Sequence, residues 1–357
     1  MISKKAFTKE YIQELHEKTG SDPALLERVI FAFGLLEAIR KVNLPFCFKG
    51  GTSLMLLLKH PKRLSTDIDI IVEPGTCIDE YIKKAGKIFP FVDVVEDIRV
   101  GKNKIEKRHF RFMFYSPVSN RNFSILLNVV FEKLPYQNTI FKAIENDFLI
   151  YEGENLMVAV PTVNSILGDK LTAFAPHTTG IPFGIKKELE IIKQLFDCGS
   201  LFDVMDNYDE VKDTYAHIVK SELSFRGLLI PVHDVLADTI GACLCIVSRG
   251  NINGTDYKYY MQGISRIRNH IIGNKFTGEI AGVYASKILY LSASILANSE
   301  PIKVIDNQPN YSPQQIKFPN PNSFSYLRIV DSIAYHYVAK AGIILNNKGF
   351  RFVNEMS

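Results

Sequence analysis

Residues 46–72 constrain the fold of this chain more tightly than any other stretch. The apolar run 44–48 reads as a short buried strand. Gly50 and Gly51 then turn the chain tightly and let backbone approach whatever sits there. Thr52 or Ser53 is placed to cap the apolar helix expected over 54–58. Strand, glycine turn and helix N-terminus make an anion-binding arrangement, because unpaired N–H groups and the positive end of the helix dipole face one point. A second strand follows at once, with Ile68, Ile70, Ile71 and Val72 interrupted by Asp67 and Asp69. Residues two apart on a strand share a face. Two carboxylates on the face of an apolar strand are costly unless a cation or water meets them. Beside a phosphate cradle, such a pair suits a divalent metal that carries a nucleoside triphosphate.

Neither half is specific alone, since Gly-Gly turns and Asp-x-Asp pairs are common. Together, Gly50, Gly51, Thr52, Ser53, Arg63, Ser65, Asp67 and Asp69 fall within about twenty residues. This combination resembles the nucleotidyltransferase superfamily with the polymerase-β-like core, and within it the AbiEii/AbiGii toxin family, which includes the MenT toxins. The resemblance covers roughly residues 25–205. It implies an α+β fold: a polymerase-β-like nucleotidyltransferase core, built as a mixed sheet with flanking helices, then a mainly helical C-terminal domain. It implies a nucleotidyltransferase using Mg2+ (or Mn2+), with Asp67 and Asp69 as metal ligands and catalytic groups. Gly50, Gly51, Thr52, Ser53, Arg63 and Ser65 then hold the nucleoside triphosphate. The resemblance further implies a toxin of a toxin–antitoxin or phage-defence pair, an RNA acceptor such as the 3′ end of tRNA, and a cognate antitoxin.

Superfamily members usually carry a third carboxylate on a strand next to the Asp-x-Asp pair. In the strand expected over 123–131 the matching place holds Asn128, a poor general base and a weak metal ligand. Glu132 lies on the same face two pairs along and substitutes only if the strand bends. The family's second motif, a helix with Lys-Leu-x-Ala, is matched by Lys170-Leu171-Thr172-Ala173. A lysine there offsets triphosphate charge as a point cation; the residues alone also allow a snorkelling surface lysine. In the helix expected over 187–202, a basic residue ahead of Leu-aromatic-Asp maps onto Lys193 and Asp197. Asp197 then faces the nucleotide or holds Lys170 or Lys193, with Asp203 the alternative if the register differs. The plain reading is a surface pair of Asp197 with Lys193 at i−4.

The 357 residues suggest two domains. They are read as 1–160, the core with its N-terminal helices, and 161–357, a mainly helical domain that completes the nucleotide site and shapes the acceptor site. A composition of 46% hydrophobic and 22% charged residues excludes disorder. A net charge of +4 permits a nucleic-acid partner without requiring one. Five scattered cysteines make no disulfide framework, and the first residues lack an apolar signal core, so a cytoplasmic protein is expected. Cys243 and Cys245 read as buried helix packing. No window reaches ~18 uninterrupted apolar residues; the nearest, 280–297, reads as a buried helix, and no membrane partner is expected.

Helices are expected over 8–19, 22–42 (Ser21 or Asp22 capping, Pro23 in the first turn) and 78–88, and strands over 91–95, 98–100 and 109–115. Lys102, Lys104, Lys107, Arg108 and Arg111 suit either a phosphate-tracking surface or a lysine-protected hairpin edge. A helix over 165–175, capped by Thr162 or Asn164, precedes a loop over 177–186 that is a lid or a connection. Further helices are expected over 208–223, 232–248, 255–272, 277–298 and 323–345, with an extended loop over 307–321. Arg266, Arg268, His270 and Lys275, with Tyr257, Tyr259 and Tyr260, offer charge and stacking for RNA, or else make an ordinary exposed face. Two other functional readings share the same site. One is a GTP- or NTP-binding module without catalysis, which Asn128 favours; the other is nucleotide transfer to a small molecule such as an aminoglycoside, or to a protein.

Overall fold

A computed structural model describes residues 1–98, 106–273, 275–303 and 311–350. The chain forms two compact units, Met1–Thr162 with Asn269–Asn274, and Val163–Arg268 with Lys275–Ser357.

The first unit runs α1 (Lys9–Thr19), α2 (Pro23–Lys41), β1 (Cys47–Lys49), α3 (Gly50–Leu57), β2 (Ile68–Val72), α4 (Asp79–Ala85), β3 (Asp93–Glu96), β4 (Lys107–Tyr115), β5 (Asn122–Phe131), β6 (Thr139–Ala143) and β7 (Met157–Pro161). Among the described residues these strands form one mixed sheet, ordered β3-β4-β5-β2-β1-β7-β6. β2 runs parallel to β5 and antiparallel to β1, and β1 runs parallel to β7. The two-residue period divides the sheet into an apolar and a polar face. Phe48, Ile68, Ile70, Val72, Phe110, Phe112, Leu127 and Val129 lie in one buried cluster with Leu26, Val29, Ile30 and Phe33 of α2. Helix α2 is capped by Asp22, whose Oδ1 accepts from the Leu25 N–H at 2.9 Å, with Pro23 in the first turn. Its two buried acids are satisfied. Glu27 accepts from the Ser116 hydroxyl at 2.7 Å, and Glu37 from the Ile2 N–H at 2.7 Å.

Two local expectations are corrected. The strand placed at 44–48 begins only at Cys47 and ends at Lys49; Asn43, at φ +60°, and Pro45, with no N–H to give a ladder, delay it. The strand placed at 91–95 is β3, shifted to Asp93–Glu96. Of the strand expected at 98–100, Ile98 is exposed and unpaired in any strand, while 99–105, with Lys102 and Lys104, lies outside the described residues. The neighbouring cations are engaged. Arg108 meets Glu96 and Asp79, each at 2.7 Å, and Arg111 meets Asp97 at 2.9 Å.

The second unit is helical: α5 (Val163–Ala173), α6 (Glu188–Val204), α7 (Tyr208–Arg226), α8 (Val232–Val247), α9 (Tyr257–Ile267), α10 (Gly278–Ala297), α11 (Leu327–Val330) and α12 (Ser332–Asn347). Helix α10 packs against α6, α8 and α12. It is long and apolar enough to cross a membrane, yet 72% of its most apolar window is buried within the protein. Cys198, Cys243 and Cys245 are buried. Asn164 sits inside α5 instead of capping it. Its Oδ1 accepts from the N–H groups of Asp206 and Asn207 at 3.2 and 3.3 Å, ahead of α7. The 177–186 segment is tied down: Thr179 donates to the Thr172 carbonyl at 2.7 Å, and Phe183 stacks on Tyr259 with centroids 4.9 Å apart. The expected RNA face over 257–275 is not one exposed surface. Tyr260 is buried, Arg266 is bound to Glu188 at 2.8 Å, and His270 belongs to the first unit.

Candidate active site

Sheet register builds the site. On the polar face, Lys49 of β1 is paired with Asp69 of β2, Asp69 with Asn128 of β5, and Asn128 with His109 of β4. Four polar side chains from four adjacent strands therefore form one row across the sheet. Asn128 Nδ2 donates to Asp69 Oδ1 at 2.8 Å. With its amide so turned, Asn128 Oδ1 receives the His109 Nδ1–H at 2.7 Å. Asp69 is half-buried, and Asp67, just ahead of β2, is exposed.

The glycine turn is built around these acids. Gly50 sits at φ +81°, where a side chain is strained, and a Cβ there would stand 2.2 Å from Asp69 Oδ2. A Cβ on Gly51 would stand 2.6 Å from Nη2 of the buried Arg63. Both glycines are thus notches, one for the carboxylate and one for the guanidinium. Helix α3 starts at Gly50 itself, and its N-cap is Lys49 with no side-chain cap. The capping role expected of Thr52 or Ser53 is corrected accordingly. Both residues are fully buried and point inward. Thr52 Oγ1 donates to the Asp67 carbonyl at 2.5 Å and lies 2.9 Å from Ser65 Oγ, while Ser53 donates to the Gly50 carbonyl at 2.8 Å. The Thr52 hydroxyl ties the turn to the acidic loop, and the Ser53 hydroxyl closes on the turn itself.

A distant segment completes this loop. Arg63 makes a β-bridge with Ile271; the Leu64 N–H donates to the His270 carbonyl at 2.7 Å and the Ile272 N–H to the Lys62 carbonyl at 2.9 Å. Two row members were missed in the sequence reading. Lys49 is the single charge in the run 46–50 and precedes the glycines, a usable signal; His109 had none, because only pairing brings β4 beside β5. Glu132, weighed as a substitute carboxylate, lies 3.9 Å from Lys49 Nζ. Cys47, next along the same face, has its thiol pushed up to about 11 by burial, partly opposed by Lys49, so it is no nucleophile near neutral pH. Among the described residues no group of three or more His, Cys, Asp or Glu is placed to hold a metal.

Within the second unit, Lys170 and Asp197 form a buried pair, Nζ to Oδ2 2.8 Å, with Gln194 Oε1 at 3.2 Å from the same ammonium. Lys170 is not a snorkelling surface lysine, being 8% exposed. Lys193 pairs with Glu190 at 2.9 Å and Asp203 with Lys287 at 2.7 Å. The alternative surface pair of Lys193 with Asp197 therefore gives way to the buried one.

A family model described as nucleotidyl transferase AbiEii toxin, type IV TA system, matches residues 35–244, more than half of the chain. The chain belongs to the AbiEii family. As an AbiEii member it is a nucleotidyltransferase toxin of a toxin–antitoxin system, with a nucleoside triphosphate as substrate and a cognate antitoxin. The span matched to AbiEii includes the glycine turn, the four-residue row and the Lys170–Asp197 pair. Among solved structures, JHP933 from Helicobacter pylori is similar at 13% identity and a TM-score of 0.44, covering 75% of this chain and 92% of that one. No curated protein sequence matches.

Proposed function

We propose that this chain transfers a nucleotidyl group from an NTP, loaded with Mg2+ or Mn2+, to a hydroxyl at an RNA end, the 3′ end of tRNA being the first candidate. The observation that carries the reading is the interlock of acids and turn: Thr52 of α3 bonds the backbone of Asp67, and Gly50 makes room for the Asp69 carboxylate.

The residues fit a divalent ion. Mg2+ takes one or two protein carboxylates and fills its shell from phosphate oxygens and water, and Asp69 Oδ2 faces the notch that a Cβ at position 50 would fill. When held by Asp67 and Asp69, the ion neutralises triphosphate charge and lowers the pKa of the acceptor hydroxyl. The N–H groups of Gly51 and Thr52, in the first turn of α3 and outside its i→i−4 ladder, bind phosphate oxygens. Arg63, packed on Gly51, adds a guanidinium beside them, and Ser65 braces Thr52. Asn128 takes no proton, so its part is to orient Asp69, and His109 orients Asn128. In the helical unit, Lys170 offsets the charge of the departing pyrophosphate, with Asp197 holding its ammonium and Lys193 serving the nucleotide. The proposed setting is a cytoplasmic toxin acting in phage defence.

The test is incubation with each α-labelled NTP, Mg2+ and total RNA. Labelled RNA is expected, and Asp67→Asn abolishes it while the thermal melt stays in place. Retained NTP with no covalent RNA product overturns the RNA acceptor. A variant that labels RNA at the wild-type rate removes the metal role of Asp67.

A further inference from the structure

The acidic pair lies between two features of the sheet. On the β1 side stands the glycine turn. On the β5 side lies a cavity of about 470 Å3 whose lining includes Arg28, Thr66, Asp67, Arg111, Phe123 and Ser124. Its origin is a mismatch in strand length. β5 starts at Asn122, but β2 joins it only from the Ile68–Leu127 pair onward. Residues 122–126 therefore carry β4 on one edge and the cavity on the other.

We propose that this cavity seats the terminal nucleotide of a single-stranded RNA acceptor; the assignment rests on the RNA reading above and gives it a location. Three features fit that ligand. Arg111 is a fixed cation, its guanidinium gripped by Asp97 Oδ2 at 2.9 and 3.2 Å, and it suits a backbone phosphate. Phe123 carries Arg28 at 5.7 Å and Arg121 at 4.8 Å over its ring and stacks on Phe114 at 6.4 Å, so it props the two guanidiniums, whose planes are the surface on which a base stacks. Asp67 lies at the cavity wall, so a hydroxyl at the end of the seated nucleotide is delivered to the acid pair from the flank opposite the phosphate-binding turn. The cations and the ring favour RNA over a peptide strand added to the bare edge of β5, which would draw on backbone groups alone.

The experiment uses the full chain and a short fluorescein-labelled single-stranded RNA with a 3′-deoxy end, which binds without reacting, alongside a fluorescent NTP with Mg2+. Arg28→Ala combined with Arg111→Ala is expected to weaken RNA binding by at least about tenfold and to reduce the slope of log K against log salt by about one per arginine. NTP binding stays within twofold. Phe123→Leu, which keeps the apolar bulk, is expected to weaken RNA severalfold without changing the salt slope. Unchanged RNA affinity and salt slope in the double arginine variant overturn the assignment, even if RNA is the acceptor. Should wild-type protein label a protein or small molecule and never RNA, the broader RNA reading fails instead. Restoration of binding and slope by Arg28→Lys with Arg111→Lys supports a charge role over a folding role.

Discussion

Asp69 and Asp197 each meet a nitrogen at 2.8 Å, but the nitrogens differ in kind. Asp69 is held by the neutral amide of Asn128 on a half-buried strand, and Asp197 by the ammonium of Lys170 in a helical interior where the pair is 2% and 8% exposed. The amide orients a carboxylate and itself brings no opposing charge. The ammonium cancels the charge, which is what burial requires. The same side chain is thus set for two tasks by its partner, and each substitution below probes one side of that contrast.

The largest effect is expected from Asp69→Asn. Nucleotide transfer should fall by at least about a thousandfold, as single-turnover labelling would read, if the proposed metal loses a charged ligand. The melting temperature should barely change. A large fall in stability with modest loss of transfer would make Asp69 a packing residue like Asp197. Lys170→Met should lower transfer as well, but unlike Asp69→Asn it also destabilises the fold. It strands a buried carboxylate and should cost about 3–5 kcal/mol in urea unfolding, most of which Lys170→Met with Asp197→Leu restores. Equal losses in single and double variants would break the comparison.

Gly50→Ala forces a Cβ to φ +81° and to 2.2 Å from Asp69 Oδ2. It should cost about 1–2 kcal/mol from the left-handed backbone and raise the metal concentration needed for half-maximal transfer. Asn128→Asp sets one carboxylate against another and removes the amide donor. The metal-free protein should lose about 1–3 kcal/mol, and Mg2+ should raise its melting temperature more than it raises that of the parent. No extra Mg2+ response would sever Asn128 from the ion site. The smallest effect concerns His336 in α12, whose pKa is lowered from the ordinary 6.5 by burial first and Lys340 second. A depressed imidazole favours the neutral form in the fold. Its contribution is therefore present above 6.5 and lost as the pH falls through the folded value. His336→Gln should flatten the loss of stability on acidification below 6.5, measured by melts across that range.

Much of the architecture was open to reading in the sequence. The helices α1 and α2 with their Asp22 cap, the strands β4 and β5, and the burial of Cys243 and Cys245 follow local patterns of period, cap and turn. The candidate site was half legible. Gly50, Gly51, Asp67 and Asp69 announce themselves because turn geometry and charge in an apolar strand are local anomalies. Thr52 was misread because its spacing suits a cap, whereas burial turned its hydroxyl toward Asp67.

What the sequence determined by itself is the short-range chemistry: a glycine turn, a helix start and an acidic strand, in an order that already named the family. Tertiary structure alone decided that Lys49 lies beside Asp69 and His109 beside Asn128, that residues 270–272 return to brace the Arg63 segment, and that β5 outruns β2 to open a cavity. The reason is that strand register and long-range pairing are set by the summed packing of a whole sheet. No residue carries a local mark of which partner will lie beside it.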